Sequence, residues 1–260
     1  MKYIDGDARK DLLGERLQDD ERFAFRCHDG LECFTKCCRN LNLFLYPYDV
    51  LRLKNSLNIS SDQFLESYVD VVLRESNSFP DVLLRMSENE DKTCPFLNDS
   101  GCKVYLDRPD TCRTFPLEQG ILFLEPSGKA TDIYFFKPPD FCLGQHESQE
   151  WTAESWAEDQ DAVLYHEMTA KWSEVKALFH ADPWGREGPH GSKGKMAFMA
   201  TYNLDKFRDF VFHSTFLKRY KVKADVLKKI KADDVALMKF GFGWVRLFIW
   251  GIKQPYLKKR

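Results

Sequence analysis

The sequence has no run of 18 or more apolar residues, so nothing in it reads as a transmembrane helix. Its start is equally poor in apolar character: Met1 to Asp20 is charged and lacks the h-region of a secretory signal. A cytoplasmic protein is therefore expected, in a compartment where thiols stay reduced. The glycine-rich loop that binds dinucleotides is missing, and so is the phosphate-cradling loop with its Walker lysine. Gly241-Phe242-Gly243 is not followed by the required third glycine. There is no Gly-x-Ser-x-Gly nucleophile elbow and no His-Glu-x-x-His zinc helix. His166-Glu167 lacks a second histidine four residues after the first and falls in an amphipathic stretch, which predicts a surface position. Internal repeats and low-complexity tracts are absent too.

What the sequence does have is cysteine. Eight of them lie between residues 27 and 142, and none in the last 118 residues. In order they form two sets of four: Cys27, Cys33, Cys37, Cys38, then Cys94, Cys102, Cys112, Cys142. A single cysteine reads as a small buried hydrophobe, but eight crowded into one stretch do not. With no secretory signal, a disulfide framework is disfavoured, and metal or redox chemistry is the expectation. Soft thiolates select zinc, copper(I) or iron–sulfur clusters. Four complete a tetrahedral zinc site or hold one cubane, so eight suit two such sites, or one site plus supporting cysteines. No Cys-x2-Cys pair occurs, which weakens a zinc-ribbon reading, and the ferredoxin run is absent. Cys33-x3-Cys37 can share one ion or cluster. Cys37 and Cys38 are adjacent, so their side chains are expected to diverge. Arg39, Arg108 and Arg113 could offset thiolate charge or donate to sulfur. His28 and His146 lie close enough to cysteines to stand in as ligands.

The rest of the chain predicts the frame around these cysteines. Pro47 suits the first position of a helix running to about Leu57. Ser60 with Gln63 forms a capping box for a helix over Ser61 to Leu73, with Phe64, Leu65, Tyr68, Val71 and Val72 inward. Asp81–Ser87 and Ile121–Glu125 read as strands. The latter pairs with Thr131–Phe136 across Pro126-Ser127-Gly128-Lys129. From Thr152 the pattern is helical, broken between Asp182 and Gly194, with Asn203 capping one helix and another running from about Asp233 to Trp250. The expected fold is α+β, mainly α. A loop-rich cysteine-cluster region (1–148) with a small hairpin packs on a helical bundle (149–260). Net charge is only −2, but from Lys195 onward 16 Lys and Arg face 5 Asp and Glu, a net of +11 against −13 for the remainder.

Phe25-Arg26-Cys27, Cys33-Phe34-Thr35-Lys36-Cys37-Cys38 and Pro47-Tyr48-Asp49-Val50-Leu51-Arg52-Leu53 recur in order with Cys94-Pro95-Phe96-Leu97, Cys102-Lys103-Val104-Tyr105 and Arg108-Pro109-Asp110-Thr111-Cys112-Arg113-Thr114-Phe115-Pro116. This set resembles the YkgJ-type cysteine-cluster family of zinc- or iron-chelating domains, widespread in bacteria, over roughly residues 23 to 145. The resemblance implies metal binding at the eight cysteines and does not imply a reaction. The family pattern commonly opens Cys-x2-Cys-x3-Cys-Cys, whereas five residues separate Cys27 from Cys33 here. The family is similar to the cysteine-rich part of flagellin lysine methylases.

The functional expectation is a metal-binding protein holding an iron–sulfur cluster, one or two in number and of the [4Fe–4S] type, in redox, metal handling or protein maturation. Zinc in a structural, partner-binding protein is the alternative, and a cluster-dependent modifying enzyme such as a methyltransferase a third reading. A protein partner is compatible with all three. Nucleic acid is not expected, because no binding motif accompanies the basic residues. The aromatic C-terminal helix is expected to cover core rather than lie on a membrane surface.

Overall fold

A computed structural model describes residues 16–74, 78–124 and 129–260, the side chains of residues 124, 129 and 130 excepted. The fold is α+β and mainly α, 48% helical with small sheets. It divides into two compact units, each drawn from two stretches of chain: Met1–Leu43 with Met86–Ala170, and Phe44–Arg85 with Lys171–Arg260.

The first unit is built on aromatic packing and a long hairpin. Leu117–Leu124 pairs antiparallel with Lys129–Phe136, Ile121 opposite Asp132. The strands are longer than the sequence predicts. Of the expected turn, Pro126 to Gly128 lie outside the described residues, as does Glu125 before them, and Lys129 opens the second strand. The two-residue strands Phe23–Ala24 and Glu150–Trp151 pair antiparallel. Phe23, Phe25, Leu117, Cys142, Ala153 and Trp156 form the core. Phe25 meets Trp156 edge-on at 5.5 Å and Phe115 at 5.8 Å, geometries that ring quadrupoles favour. The Trp156 indole donates to the Thr114 carbonyl at 3.0 Å and that of Trp151 to the Phe25 carbonyl at 2.8 Å, so both rings are buried without orphaning a donor.

The second unit joins a three-stranded antiparallel sheet to helices. Asp81–Leu84 is the central strand, between Phe44–Leu45 and Val69–Val72. Pro47 opens the helix Pro47–Ser56, where its missing N–H costs nothing. The Ser60–Gln63 box forms at 3.2 and 2.9 Å. That helix ends at Tyr68 rather than Leu73. The β-branched run Val69–Val72 turns into a strand because it can pair with Asp81–Leu84, and Val71 is exposed rather than inward. Asn203 caps Leu204–His213 and Asp233 caps Asp234–Trp250. Gly241 lets the latter helix approach Ser192–Tyr202: a Cβ there would lie 2.2 Å from the Ala200 carbonyl oxygen. Phe240, Phe242, Trp244 and Val245 are buried, so this aromatic helix covers core as the sequence predicts. No described helix is long and apolar enough to cross a membrane.

Candidate metal centre

None of the eight cysteines is in a disulfide. Their positions follow from short backbone devices. After Phe25 donates its N–H to the Gln149 carbonyl, Arg26 donates to the Gly144 carbonyl at 3.0 Å, which brings Cys27 beside Cys142. Residue 144 must be glycine for this approach, since a Cβ would sit 2.8 Å from the Arg26 carbonyl oxygen. The longer stretch between Cys27 and Cys33 is taken up by consecutive turns, Leu31 N–H to His28 and Phe34 N–H to Leu31. Thr35 then takes the left-handed conformation, φ 65°, which a β-branched residue rarely adopts, and starts the single 3-10 turn Lys36–Cys38.

Cys27, Cys33, Cys37 and Cys142 therefore line one small cavity of about 10 Å³, walled by Leu31, Phe115 and Phe141. Cys33 and Cys142 are buried, while Cys27 is exposed at its edge. The first sequence set of four is thus rearranged. Cys142 joins Cys27, Cys33 and Cys37, although it lies more than 100 residues away. The neighbouring segments 38–40 and 92–94 run side by side: Cys94 N–H donates to the Cys38 carbonyl at 2.8 Å, Arg39 bridges Thr93, and Asn40 N–H reaches the Lys92 carbonyl. Cys102 lies close enough to raise the Cys94 thiol, and Cys102 and Cys112 both act on Arg108. Backbone pairing thus sets Cys38 beside Cys94, while Arg108 lies near both Cys102 and Cys112. Cys37 and Cys38 stay close enough for Cys38 to raise the Cys37 thiol, rather than diverging as the sequence suggests.

Hydrogen bonding around the sulfurs suits thiolates. Leu143 N–H donates to Cys33 Sγ at 3.2 Å. The backbone N–H groups of Gly144 and Gln145 also pull the Cys142 thiol down, as do those of Phe96 and Leu97 at Cys94 and that of Val104 at Cys102. Such donors favour the charged form. They do not prevail without a cation. Burial, followed by the charges of Cys37, Cys33 and Cys142, pushes the Cys27 thiol up to about 11. Burial is also the leading cause at Cys94, Cys102 and Cys142, all raised. At Cys37 the neighbouring Cys38 leads, ahead of burial. A bound cation would reverse this balance. The donor set, anionic soft sulfur with N–H groups aimed at it, fits a thiolate metal group. Among the described residues, no three Cys, His, Asp or Glu side chains are already drawn in to single-ion spacing.

The arginines divide. Arg108 acts on Cys112 and Cys102 while stacking on Tyr105 at 3.9 Å and bonding Gln160. Arg113 is buried, but its donors go to the Leu106 and Gln160 carbonyls and its plane to Tyr165, a structural role. Arg39 pairs with Asp91 at 2.6 Å. Neither expected histidine lines the cavity: His28 Nδ1 accepts from Gly30, and His146 is exposed. His166 is the correction. It is buried, 6% exposed, rather than at the surface. Its Nδ1 meets the Tyr134 hydroxyl at 2.9 Å and its Nε2 faces Asp110 Oδ1 at 3.5 Å, while Thr169 donates to Asp110 Oδ2 at 2.8 Å. The signal available in the sequence was Asp110 within the Cys112 motif, though no spacing links it to His166.

No curated protein and no solved structure matches the chain. A family described as "Putative zinc- or iron-chelating domain", CxxCxxCC for short, matches residues 26–155, a range that includes all eight cysteines. Matched over half its length, across a range that holds all eight cysteines, the chain belongs to this cysteine-cluster family.

Proposed function

We propose that the eight cysteines are the metal ligands, divided as Cys27, Cys33, Cys37 and Cys142 in one centre and Cys38, Cys94, Cys102 and Cys112 in a second. The convergence of Cys142 on the three N-terminal cysteines in one cavity carries this reading. The group they would hold is an iron–sulfur cluster, which supplies one-electron chemistry when bound. The N–H groups on Cys33, Cys94, Cys102 and Cys142 would tune its potential. Each group keeps one exposed cysteine, Cys27 or Cys112. Exposed apolar side chains lie nearby in sequence, Leu106 (78% exposed) before Cys112 and Phe141 (46%) before Cys142. Open edges of this kind suit a module that exchanges electrons or metal with a protein partner, more than a closed structural site. The small cavity favours a second reading, zinc, because it has room for a single ion.

Anaerobic purification followed by elemental analysis and visible spectroscopy separates the two. Iron with acid-labile sulfide and a broad visible band supports the cluster. A colourless protein with stoichiometric zinc replaces it with the second reading, and protein free of both metals sinks the ligand assignment.

A further inference from the structure

We propose that the second unit carries a docking face for an anionic membrane surface, formed by the two-stranded sheet Tyr220–Val222/Leu257–Lys259 and the helix Ala224–Ala232. Between Lys218 and Lys231 and between Lys253 and Arg260 the chain has eleven Lys and Arg and one acid, Asp225. All eleven are exposed. Among the described residues none of them makes an ion pair, whereas other cations of the same unit do: Lys54 with Asp205, Lys176 with Asp81, Arg208 with Asp234. The fold concentrates this charge. In the sheet, Lys221 stands directly opposite Lys258, a like-charge pair that destabilises a ladder. Arg260 N–H donates to the Arg219 carbonyl, and Lys223, where the helix begins, donates to the Tyr256 carbonyl, so strand, helix and C-terminal segment are held together. Unneutralised repulsion of this kind is relieved by an external anion.

The composition of the face selects which anion. Nine of the eleven cations are lysine. Lysine is a point charge suited to a diffuse field, while bidentate phosphate recognition in nucleic acids favours arginine. Protein–protein interfaces are depleted in lysine. None of the exposed large hydrophobics lies in these segments, so there is no open platform for stacking bases. Tyr220 and Tyr256 sit half-buried along the face, the placement that amphipathic rings take at headgroup level. Clustered lysines beside such rings fit an anionic leaflet.

The test is flotation of the purified full chain with vesicles of phosphatidylcholine alone and of phosphatidylcholine mixed with phosphatidylglycerol. Binding is expected on the mixed vesicles only, weakening as salt is added. Replacing Lys221, Lys223, Lys258 and Lys259 together by Glu should lower it at least roughly tenfold, with the circular dichroism spectrum unchanged. If that variant misfolds, the same four positions changed to Gln serve instead. Equal binding to both vesicle types, absence of binding, or an unaffected folded variant overturns the proposal. So does tighter binding to a single-stranded oligonucleotide that the same substitutions abolish.

Discussion

Replacing Cys112 by Ser keeps the side chain's size and removes its soft donor, so freshly purified protein should contain less metal. Cys142→Ser should do the same and also disturb the core, because Cys142 packs among Phe23, Phe25 and Trp156. Unchanged metal content with unchanged stability would remove either residue from the ligand set. His166 makes a different prediction. Burial lowers its pKa to about 4 from 6.5, and the facing Asp110 does not outweigh that burial. The unfolded chain takes up this proton below about 6.5, whereas the folded chain resists until about 4. The stabilisation is therefore complete above that range and is lost as pH falls through it, about 3 kcal/mol in all. Denaturant titrations across this window should show the loss, and His166→Gln should flatten it; an equally steep profile in the variant would assign the effect elsewhere. The sequence showed the eight cysteines plainly but hid His166. Its partners come from three separate segments, and nothing local distinguishes a buried imidazole with tertiary partners from an exposed one.

At the scale of elements, Gly144 ties the Cys142 loop to the strand that leads into Cys27. Gly144→Ala puts a methyl against a backbone oxygen that cannot turn aside, and should cost about 1–3 kcal/mol together with weaker metal retention. Gly30→Ala is the comparison, since there the nearest atoms belong to the movable His28 side chain. Similar losses at both sites by thermal melting would mean the Gly144 contact is not special. Helix starts were legible because their signals act locally: Pro47 has no N–H to leave orphaned, and Ser60, Asn203 and Asp233 satisfy orphan N–H groups within one turn. Helix ends were less so. The helix predicted through Leu73 stops at Tyr68, because the valines after it find strand partners across a loop, in Asp81–Leu84, which periodicity within the segment cannot foresee. The pairing of Cys142 with the N-terminal cysteines was hidden for the same reason, resting on the Arg26–Gly144 bond.

Across the whole molecule, metal loading should be strongly pH-dependent. Raised thiols at Cys27, Cys94, Cys102 and Cys142 mean that binding must expel protons. Apparent zinc or iron affinity should fall as pH is lowered, about tenfold per unit for each proton released. A competition titration showing pH-independent affinity would argue that these thiols are not ligands. The first compact unit takes both ends of the matched stretch and the second its middle together with the chain beyond it, a division that no shift in composition announces. The charge asymmetry, by contrast, could be read directly from the residues. Its consequence reaches ordinary handling of the protein. With a net charge of −2 the chain should favour an anion exchanger at neutral pH. The eleven unpaired cations in and around the C-terminal sheet and its helix should nevertheless hold it on a cation-exchange column, so that it is retained by resins of either sign.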